Sequence, residues 1–263
     1  KNVIIGVYQQ NDNFGFVLPT EHMGRDVYIS RKKTKGAKNG DLVAVKIYFW
    51  GDEERKPEGE IVSILGDPQN TEALINGILI NNGVSETFSD EVENELYKLE
   101  KPSIGEINSR RDLRDLKIIT IDGSDAKDLD DAVYVEKTKT GYKLIVCIAD
   151  VSYYVSEKSK LDEEALKRGN SIYLVDRVIP MLPKKLSNDL CSLNPNEDKL
   201  TFTAEIDLDE QGKVVKNDFY KSVINSKYRM TYQKVNEIIA GDEESVKEYE
   251  PINEMILHML ELS

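Results

Sequence analysis

The sequence predicts a mainly β fold with an α/β part, in which an OB-type barrel precedes a mixed region of strands and helices. Residues 1–66 contain five short β-prone runs separated by Gly, Asn and charged turns. Five strands at that spacing are typical of an OB-type barrel. Residues 110–263 contain longer alternating runs and then helical periodicity. A chain of 263 residues is long enough for one or two domains with a real core.

The first two regions have distinct patterns. The barrel strands are expected at residues 3–8, 14–18, 26–30, 41–48 and 59–65. Residues 67–109 are interpreted as a linker with a short strand and a helix. The helix is expected over residues 89–99, because apolar residues recur there at helical spacing behind a Ser89 cap.

The third region, residues 110–263, combines strands and helices. A strand is expected at 116–121, followed by an acidic loop and a hairpin that turns at Gly141. A helix is expected between a Ser159 cap and a Gly169 terminator. The remaining elements are antiparallel strands at 201–208 and 214–224 and helices at 232–239 and 251–262.

Five aspartates occur within ten residues of the segment TIDGSDAKDLDDAVY (residues 120–134). Two unit charges about 4 Å apart repel by ~4 kcal/mol at an effective dielectric of ~20, so the run is costly unless a cation lies between the carboxylates. Hard divalent ions such as Mg²⁺ or Mn²⁺ take oxygen ligands, and pairs of them clamp the attacking and leaving oxygens of a phosphodiester. The run therefore predicts a metal-dependent phosphoryl-transfer site.

Two other interpretations of the acidic run compete with a metal site. A calcium-binding EF-hand needs helices on both sides, a Gly at loop position 6 and a Glu at position 12, and the run has none of these. A solvated loop whose aspartates cap turns is the common explanation of acidic clusters, and Asp125 fits it. That explanation fits less well for Asp128, Asp130 and Asp131, which adjoin the apolar start of a strand where unpaired charge is penalised.

Several segments around the acidic run carry a family resemblance. RRDLRDL (110–116) precedes it, and IADVSYYV (148–155), RGNSIYLVDRVIPMLPKKLSNDLCSLNP (168–195) and RMTY (229–232) follow. Together with the acidic run and in this order, the segments resemble consecutive motifs of the ribonuclease II and ribonuclease R family of 3′ to 5′ exoribonucleases. The sequences GSDAKDLDDAVY and RGNSIYL are closer to the ribonuclease R branch. The resemblance implies a cold-shock OB-type barrel, followed by the N-terminal part of an α+β RNB-type catalytic domain.

The resemblance also implies roles for individual residues. An aromatic residue that packs against the 3′-terminal nucleotide corresponds to Tyr173, and a second RNA-contacting tyrosine corresponds to Tyr232. Each could instead be an ordinary half-buried aromatic, since the chain has 13 tyrosines. The catalytic, magnesium-binding aspartates of the family correspond to Asp122, Asp128, Asp130 and Asp131, but not to Asp125.

The barrel carries a separate signal for RNA binding. Its segments FGFV (14–17) and VYIS (27–30) resemble the RNA-contacting strands of cold-shock domains. The candidate stacking residues are Phe14, Phe16 and Tyr28, with Lys32 among the basic residues beside them. Because side chains alternate along a strand, one or more of the three rings is expected to be core instead.

Composition limits the other function classes. A formal net charge of −13 opposes simple nucleic-acid binding, although basic clusters at 31–35, 110–114 and 184–185 make the charge patchy. Lys184 and Lys185 are as readily explained as a solvated turn. Two histidines and two cysteines are too few for a paired-histidine mechanism, a His-rich zinc site or a disulfide framework, so both cysteines are expected to be reduced and buried. No apolar run of ~18 residues occurs, which favours a soluble, cytoplasmic protein.

Two hypotheses from different classes follow. The first is a monomeric 3′ to 5′ exoribonuclease that uses Mg²⁺, or Mn²⁺, to hydrolyse single-stranded RNA processively to nucleoside 5′-monophosphates. The second is a non-catalytic RNA-binding module with a vestigial acidic loop. The presence of all four aspartates favours the enzyme. The chain starts at Lys1 and stops in an apolar helical pattern, so we expect a fragment with little activity alone, since the resemblance implies that a further arginine and glutamate complete the site.

Overall fold

The computed structural model describes residues 2–21 and 25–263, and the chain forms two compact units, Lys1–Thr87 and Phe88–Ser263. The first unit is built on a closed barrel in which the strands follow the order β1-β2-β3-β5-β4, which confirms the predicted OB-type barrel. Alternate residues of these strands fill its core. The strands are β1 (Val3–Gln10), β2 (Phe14–Pro19), β3 (Val27–Ser30), β4 (Leu42–Phe49) and β5 (Glu58–Gly66).

Gly15 shows why β2 reads Phe-Gly-Phe. The glycine points into the barrel, where the ring of Tyr8 packs over it and is only 2% exposed. A Cβ atom at position 15 would lie 2.2 Å from the Tyr8 ring, which no real contact permits. Only a residue without a side chain fits there. Since successive residues of a strand face opposite sides, Phe14 and Phe16 lie on the outer face.

Residues 67–109 differ from their prediction. The short strand expected there was wrong, because helix α1 (Thr71–Asn81) follows the barrel instead. The Asn70 side chain caps this helix, and Ala73 packs against the outside of the barrel. The predicted second element is present as α2 (Asp90–Tyr97), capped by Ser89 as expected. A third helix, α3 (Ile104–Ser109), completes the segment.

The second unit contains a seven-stranded sheet in the order β14-β7-β8-β9-β12-β13-β6 and a separate hairpin of β10 and β11. The predicted hairpin and the predicted antiparallel pair are confirmed as β8 with β9 and β12 with β13. The strands are β6 (Arg111–Asp112), β7 (Ile119–Asp122), β8 (Asp131–Thr138), β9 (Gly141–Ala149), β10 (Ile172–Tyr173), β11 (Val178–Ile179), β12 (Asp198–Asp209), β13 (Val214–Asn225) and β14 (Tyr228–Thr231).

Helices of the second unit pack on the sheet from two sides. One core joins the sheet to α2, α5 and a π-helical turn at Leu186–Leu190, and another joins it to α6 and α8. Ser159 and Gly169 bound α5 as predicted. Among the described residues, no helix combines the length and apolar character needed to span a membrane. The helices are α4 (Val151–Tyr154), α5 (Lys160–Arg168), α6 (Tyr232–Ile239), α7 (Glu243–Glu248) and α8 (Asn253–Leu262).

The predicted basic clusters of the second unit serve the fold. The Arg110 guanidinium lies 2.8 Å from the Asp150 carboxylate, and their side chains are only 1% and 4% exposed. Burial alone would raise the pKa of Asp150, but hydrogen bonds from Ser152 and Arg110 lower it. The Lys185 ammonium donates to the carbonyls of Leu96 and Leu99 at the end of α2, so it is not a solvated turn residue. Cys147 and Cys191 are free and buried, as expected.

Candidate active site

The acidic run joins two neighbouring strands at one end of the sheet. Strand β7 ends at Asp122 and β8 begins at Asp131, and the two strands pair antiparallel through Ile119 and Val133. The loop of residues 123–130 therefore starts and ends at the same end of these two strands, which forms the acidic edge of the sheet. This arrangement brings all four predicted aspartates, Asp122, Asp128, Asp130 and Asp131, to that edge.

Leu129 anchors the centre of the acidic loop. Its side chain is 1% exposed and belongs to the core of the second unit. The buried hydroxyl of Ser192 accepts a hydrogen bond from the Leu129 amide at 3.1 Å and donates to the Lys127 carbonyl at 3.0 Å. The Leu193 amide donates to the Leu129 carbonyl at 2.8 Å. The loop is thus held on a fixed path by the segment that follows the π-helical turn.

Arg229 supports the first half of the loop, a role that the sequence did not reveal. Strand β14 runs parallel to β7, so Arg229 pairs with Thr120 although it is more than a hundred residues away in sequence. Its guanidinium donates to the carbonyls of Ser124 and Ala126 at 3.1 and 2.5 Å. No local spacing signal points to this contact, because it arises from strand pairing.

The carboxylates of the loop repel one another. Burial is the main cause that raises the pKa of Asp122, the charges of Asp131 and Asp128 raise it further, and the Arg229 charge opposes them. Asp130 is exposed, yet the groups that crowd its carboxylate desolvate it and raise its pKa, followed by the charges of Asp128, Asp131 and Asp122. The folded chain therefore holds negative charge here at a cost.

The donor atoms of this edge fit a hard divalent cation. Asp122 Oδ2 is buried and finds no hydrogen-bond partner among the described residues, and such an orphaned carboxylate oxygen is penalised unless a cation or donor satisfies it. Carboxylate oxygens are the ligands that Mg²⁺ prefers. Within residues 2–21 and 25–263, no three acidic, His or Cys side chains converge closely enough to form a ready metal-binding group. The carboxylate oxygens that a divalent cation requires are present, but in the described part of the chain these side chains do not converge on one point.

The two predicted RNA-contacting tyrosines lie beside this edge. Tyr173 is on β10, is 67% exposed, and its hydroxyl donates to Asp128 Oδ2 at 3.0 Å. This hydrogen bond is the main cause that raises the pKa of Tyr173. Tyr232 is 63% exposed and begins α6 directly after Thr231, which pairs with Asp122. Both rings are accessible near the aspartates.

The three candidate stacking residues of the barrel form one cluster on its outer face. The ring centroids of Phe14, Phe16 and Tyr28 lie 5.5 to 6.0 Å apart. The expectation that one or more of them is core was wrong, because none of the three is buried. The Lys56 ammonium lies 4.5 Å from the centre of the Phe16 ring. Lys32 is exposed in the short 3-10 turn Arg31–Lys33 that follows β3.

Comparison with known proteins agrees with both units. The RNB domain family matches residues 110–263, and the cold shock domain family matches residues 16–89. Ribonuclease R of Thermotoga maritima is 42% identical over 99% of this chain, which spans 37% of that protein. Mycoplasma genitalium RNase R, solved in complex with double-stranded RNA, superposes with a TM-score of 0.90 at 29% identity, covering 100% of this chain and 46% of that one. Its complex with ribose methylated single-stranded RNA gives the same TM-score at 28% identity, covering 100% of this chain and 42% of that one.

The family match covers more than half of this chain, includes the whole acidic loop, and agrees with the order of the two units. The chain spans little more than a third of the Thermotoga maritima relative. The sequence motifs, the fold and the match to the RNB domain family together show that this chain belongs to the RNB-domain family of ribonuclease II and ribonuclease R.

Proposed function

We propose that the chain carries the metal-binding and RNA-end-binding part of a 3′ to 5′ exoribonuclease that hydrolyses single-stranded RNA processively to nucleoside 5′-monophosphates. The observation that carries the proposal is Asp122, whose buried Oδ2 atom lacks a partner within a group of four carboxylates. A surface loop that only capped turns would satisfy its buried oxygen with backbone amides.

The four aspartates would hold Mg²⁺, with Mn²⁺ as an alternative. When bound, such ions activate a water molecule and stabilise charge on the phosphodiester and on the leaving 3′ oxygen. The chain's own contribution is placement. Leu129 and Ser192 fix the loop backbone, and Arg229 holds its carbonyls. Because these contacts are made before RNA arrives, little ordering is required when the substrate binds.

Tyr173 would position the end of the RNA. Its hydroxyl is tied to Asp128, while most of its ring is accessible for stacking on the terminal nucleotide. Stacking is worth ~1–3 kcal/mol per base and does not depend on sequence, which suits an enzyme that degrades any RNA. Tyr232, at the start of α6, would contact the strand close to Asp122. The aromatic cluster of the barrel would bind single-stranded RNA in the same way.

We expect little or no hydrolysis by these 263 residues alone. The arginine that reaches the loop, Arg229, is engaged with two carbonyl groups. A cationic group that takes up charge on the phosphate in the transition state is a large contributor in such enzymes. Completion of the site would therefore depend on residues such as those in the longer part of the ribonuclease R relatives.

A second candidate function is a non-catalytic RNA-binding module. It is favoured by the barrel face, whose clustered rings and Lys56 need no contribution from the acidic loop. The two functions differ in what the aspartates do. In the module the loop would bind no divalent ion, and its carboxylates would be dispensable.

Calorimetry with Mn²⁺ separates the two. We expect weak binding by the 263-residue chain and a clear loss with Asp128→Asn or Asp130→Asn, since each removes a charged ligand. Asp125→Asn is the matched control, because it removes the same charge from the same loop at a position outside the proposed ligand set. Equal loss in all three variants would indicate general charge attraction, and no loss in any would assign the loop no metal site.

A further inference from the structure

The exposed aromatic surface of the barrel continues beyond the cluster of Phe14, Phe16 and Tyr28. Tyr48 on β4 is 48% exposed, and Trp50, just after the strand, is 52% exposed. The RNA-binding role proposed above uses neither of them. Large aromatic side chains left this accessible offer flat surfaces on which unpaired bases can stack.

Strand pairing places Tyr48 in line with the cluster. Phe16 pairs with Tyr28, and Tyr28 pairs with Glu58 on β5. The Tyr48 hydroxyl donates to Glu58 Oε2 at 3.3 Å, which brings Tyr48 onto the same row of outward-facing side chains. Neighbouring strands lie ~4.8 Å apart, so two strand spacings set Tyr48 about 10 Å from Tyr28. The row therefore crosses β2, β3, β5 and β4.

Tyr48 faces outward beside a β-bulge. The pairing of β4 with β5 shifts between Ile47 and Phe49, because Ile47 pairs with Gly59 and Phe49 pairs with Glu58. Tyr48 is the extra residue, and bulges commonly re-aim a side chain at a functional surface. Since Ile47 is 4% exposed and packs in the barrel core, its neighbour is left on the outside.

Cations lie on the rings along this row. The Lys33 ammonium lies 3.6 Å from the centre of the Tyr48 ring, much as the Lys56 ammonium lies over Phe16. Each ammonium covers part of one ring face and adds positive charge beside the ring, where it would attract the phosphates of a bound strand. Two carboxylates beside these rings are partnered, since Glu58 accepts from Tyr48 and Asp26 lies 3.5 Å from Lys56.

We propose that single-stranded RNA crosses the barrel from the Phe14, Phe16 and Tyr28 cluster to Tyr48, where a base stacks on the Tyr48 ring beside Lys33. The proposal rests on the proposed RNA binding by the barrel face and adds a further binding position on β4. It selects a ligand with an unpaired base about 10 Å beyond the cluster, which a duplex end does not offer.

The protein provides its own reporter for this position. Trp50 is the one tryptophan of the chain and lies two residues from Tyr48. Titration of the 263-residue chain with a single-stranded RNA of about 12 nucleotides, within the usual site size of such barrels, should change the Trp50 fluorescence. Tyr48→Ala should weaken the affinity about 5-fold or more, whereas Tyr48→Phe, which keeps the ring, should stay within about 2-fold. Tyr97→Ala is the matched control, because Tyr97 is 87% exposed on α2 of the other unit.

Phe14→Ala separates this inference from the function on which it rests. Weaker binding with Phe14→Ala, full affinity with Tyr48→Ala and unchanged Trp50 fluorescence would overturn the extension to β4 while leaving the barrel as an RNA-binding surface. Full affinity with both alanine variants would refute both proposals. Equal losses with Tyr48→Phe and Tyr48→Ala would show that the hydroxyl contact to Glu58 matters instead of stacking.

Discussion

The aromatic cluster of the barrel and the acidic loop of the sheet each bring similar side chains together, but the side chains attract one another in the cluster and repel one another in the loop. Rings such as Phe14 and Phe16 meet edge to face, and such a pair contributes about 0.5–1.5 kcal/mol beyond its burial. In the loop, desolvation and neighbouring charges raise the pKa of Asp122 and Asp130. The cluster is thus favourable before any ligand arrives, whereas the loop is unfavourable until a cation is present.

This difference shows where each surface obtains its support. The barrel cluster is stabilised by its own members and by the strands that carry them. The loop depends on the core that buries its own Leu129 and on two groups from distant parts of the chain, the Ser192 hydroxyl and the Arg229 guanidinium. An aromatic surface can therefore be supported locally, while a cluster of like charges requires a folded unit around it.

The buried carboxylate of Asp150 can be compared with those of the loop, because the Arg110 guanidinium is already paired with it. Arg110→Met would leave the buried Asp150 charge with only the Ser152 hydroxyl and the Lys221 ammonium, which is 4.0 Å away, and we expect it to lower the free energy of unfolding by about 3 kcal/mol. Denaturant unfolding of the 263-residue chain measures this loss. The double variant Arg110→Met with Asp150→Leu should recover a large part of it, since no uncompensated charge remains.

The same variant predicts a pH dependence with a definite sign. In the native chain the pKa of Asp150 is lowered, so its stabilisation is present above the unfolded pKa and is lost as the pH falls through the folded pKa. In Arg110→Met the unpaired charge disappears on protonation. The stability difference between the two proteins should therefore shrink from about pH 7 to about pH 4, and a constant difference would contradict the charge explanation.

The next largest effect concerns catalysis at the loop. In a chimera, the segment that follows the matched region in the Thermotoga maritima ribonuclease R would be joined after Ser263. Asp130→Asn should then slow mononucleotide release about 100-fold or more, at ~1.4 kcal/mol for each tenfold. RNA affinity should be retained, because stacking and backbone contacts are spread over many residues. The assay uses a labelled single strand, with Asp125→Asn as the control; full activity of Asp130→Asn would remove Asp130 from the metal site.

On the barrel, we expect smaller losses that affect binding alone. Phe16→Ala should cost ~1–3 kcal/mol in affinity for single-stranded RNA. Lys32→Ala should mainly lower the salt dependence, with the slope of log K against log salt changing by about 1 for one lost phosphate contact. Fluorescence anisotropy at two salt concentrations distinguishes the two outcomes. Unchanged affinity in both variants would make the barrel a packing domain.

The smallest predicted effect tests the sign of the energy at the loop. In the presence of EDTA, Asp130→Asn should raise the free energy of unfolding by about 0.5 kcal/mol, because it removes a charge that its neighbours repel. Phe16→Ala should not stabilise the chain under the same conditions. Thermal unfolding of both variants checks this contrast, and a destabilised Asp130→Asn would show that the loop is not strained by charge.

The sequence predicted the elements whose signals are local. The barrel, the family and the capped helix behind Ser89 were confirmed. The helix Thr71–Asn81 was missed because it contains Ile residues and an interior Gly, which weaken helix propensity. It is stabilised instead by its Asn70 cap and by packing on the barrel.

The support of the candidate site could not be predicted from local patterns. The acidic run is visible because its five aspartates lie within ten residues, and the family resemblance selected four of them, whose roles remain predictions. The contacts of Ser192 and Arg229 with the loop join residues 65 and 103 positions apart. Such pairs follow from strand order and register, which spacing along one chain does not specify.

Leu129 has a consequence for how inherited variants of such enzymes should be classified. An apolar residue stands between Asp128 and Asp130, so the direction of both carboxylates is set by the hydrophobic core. In the proposed enzyme, we expect a change at Leu129, or at Leu193 in the same core, to misplace the carboxylates while every one of them is still present. In a genetic screen such a change would resemble an active-site mutation. Growth at a lower temperature would distinguish the two, because it relieves a packing defect but restores no missing ligand.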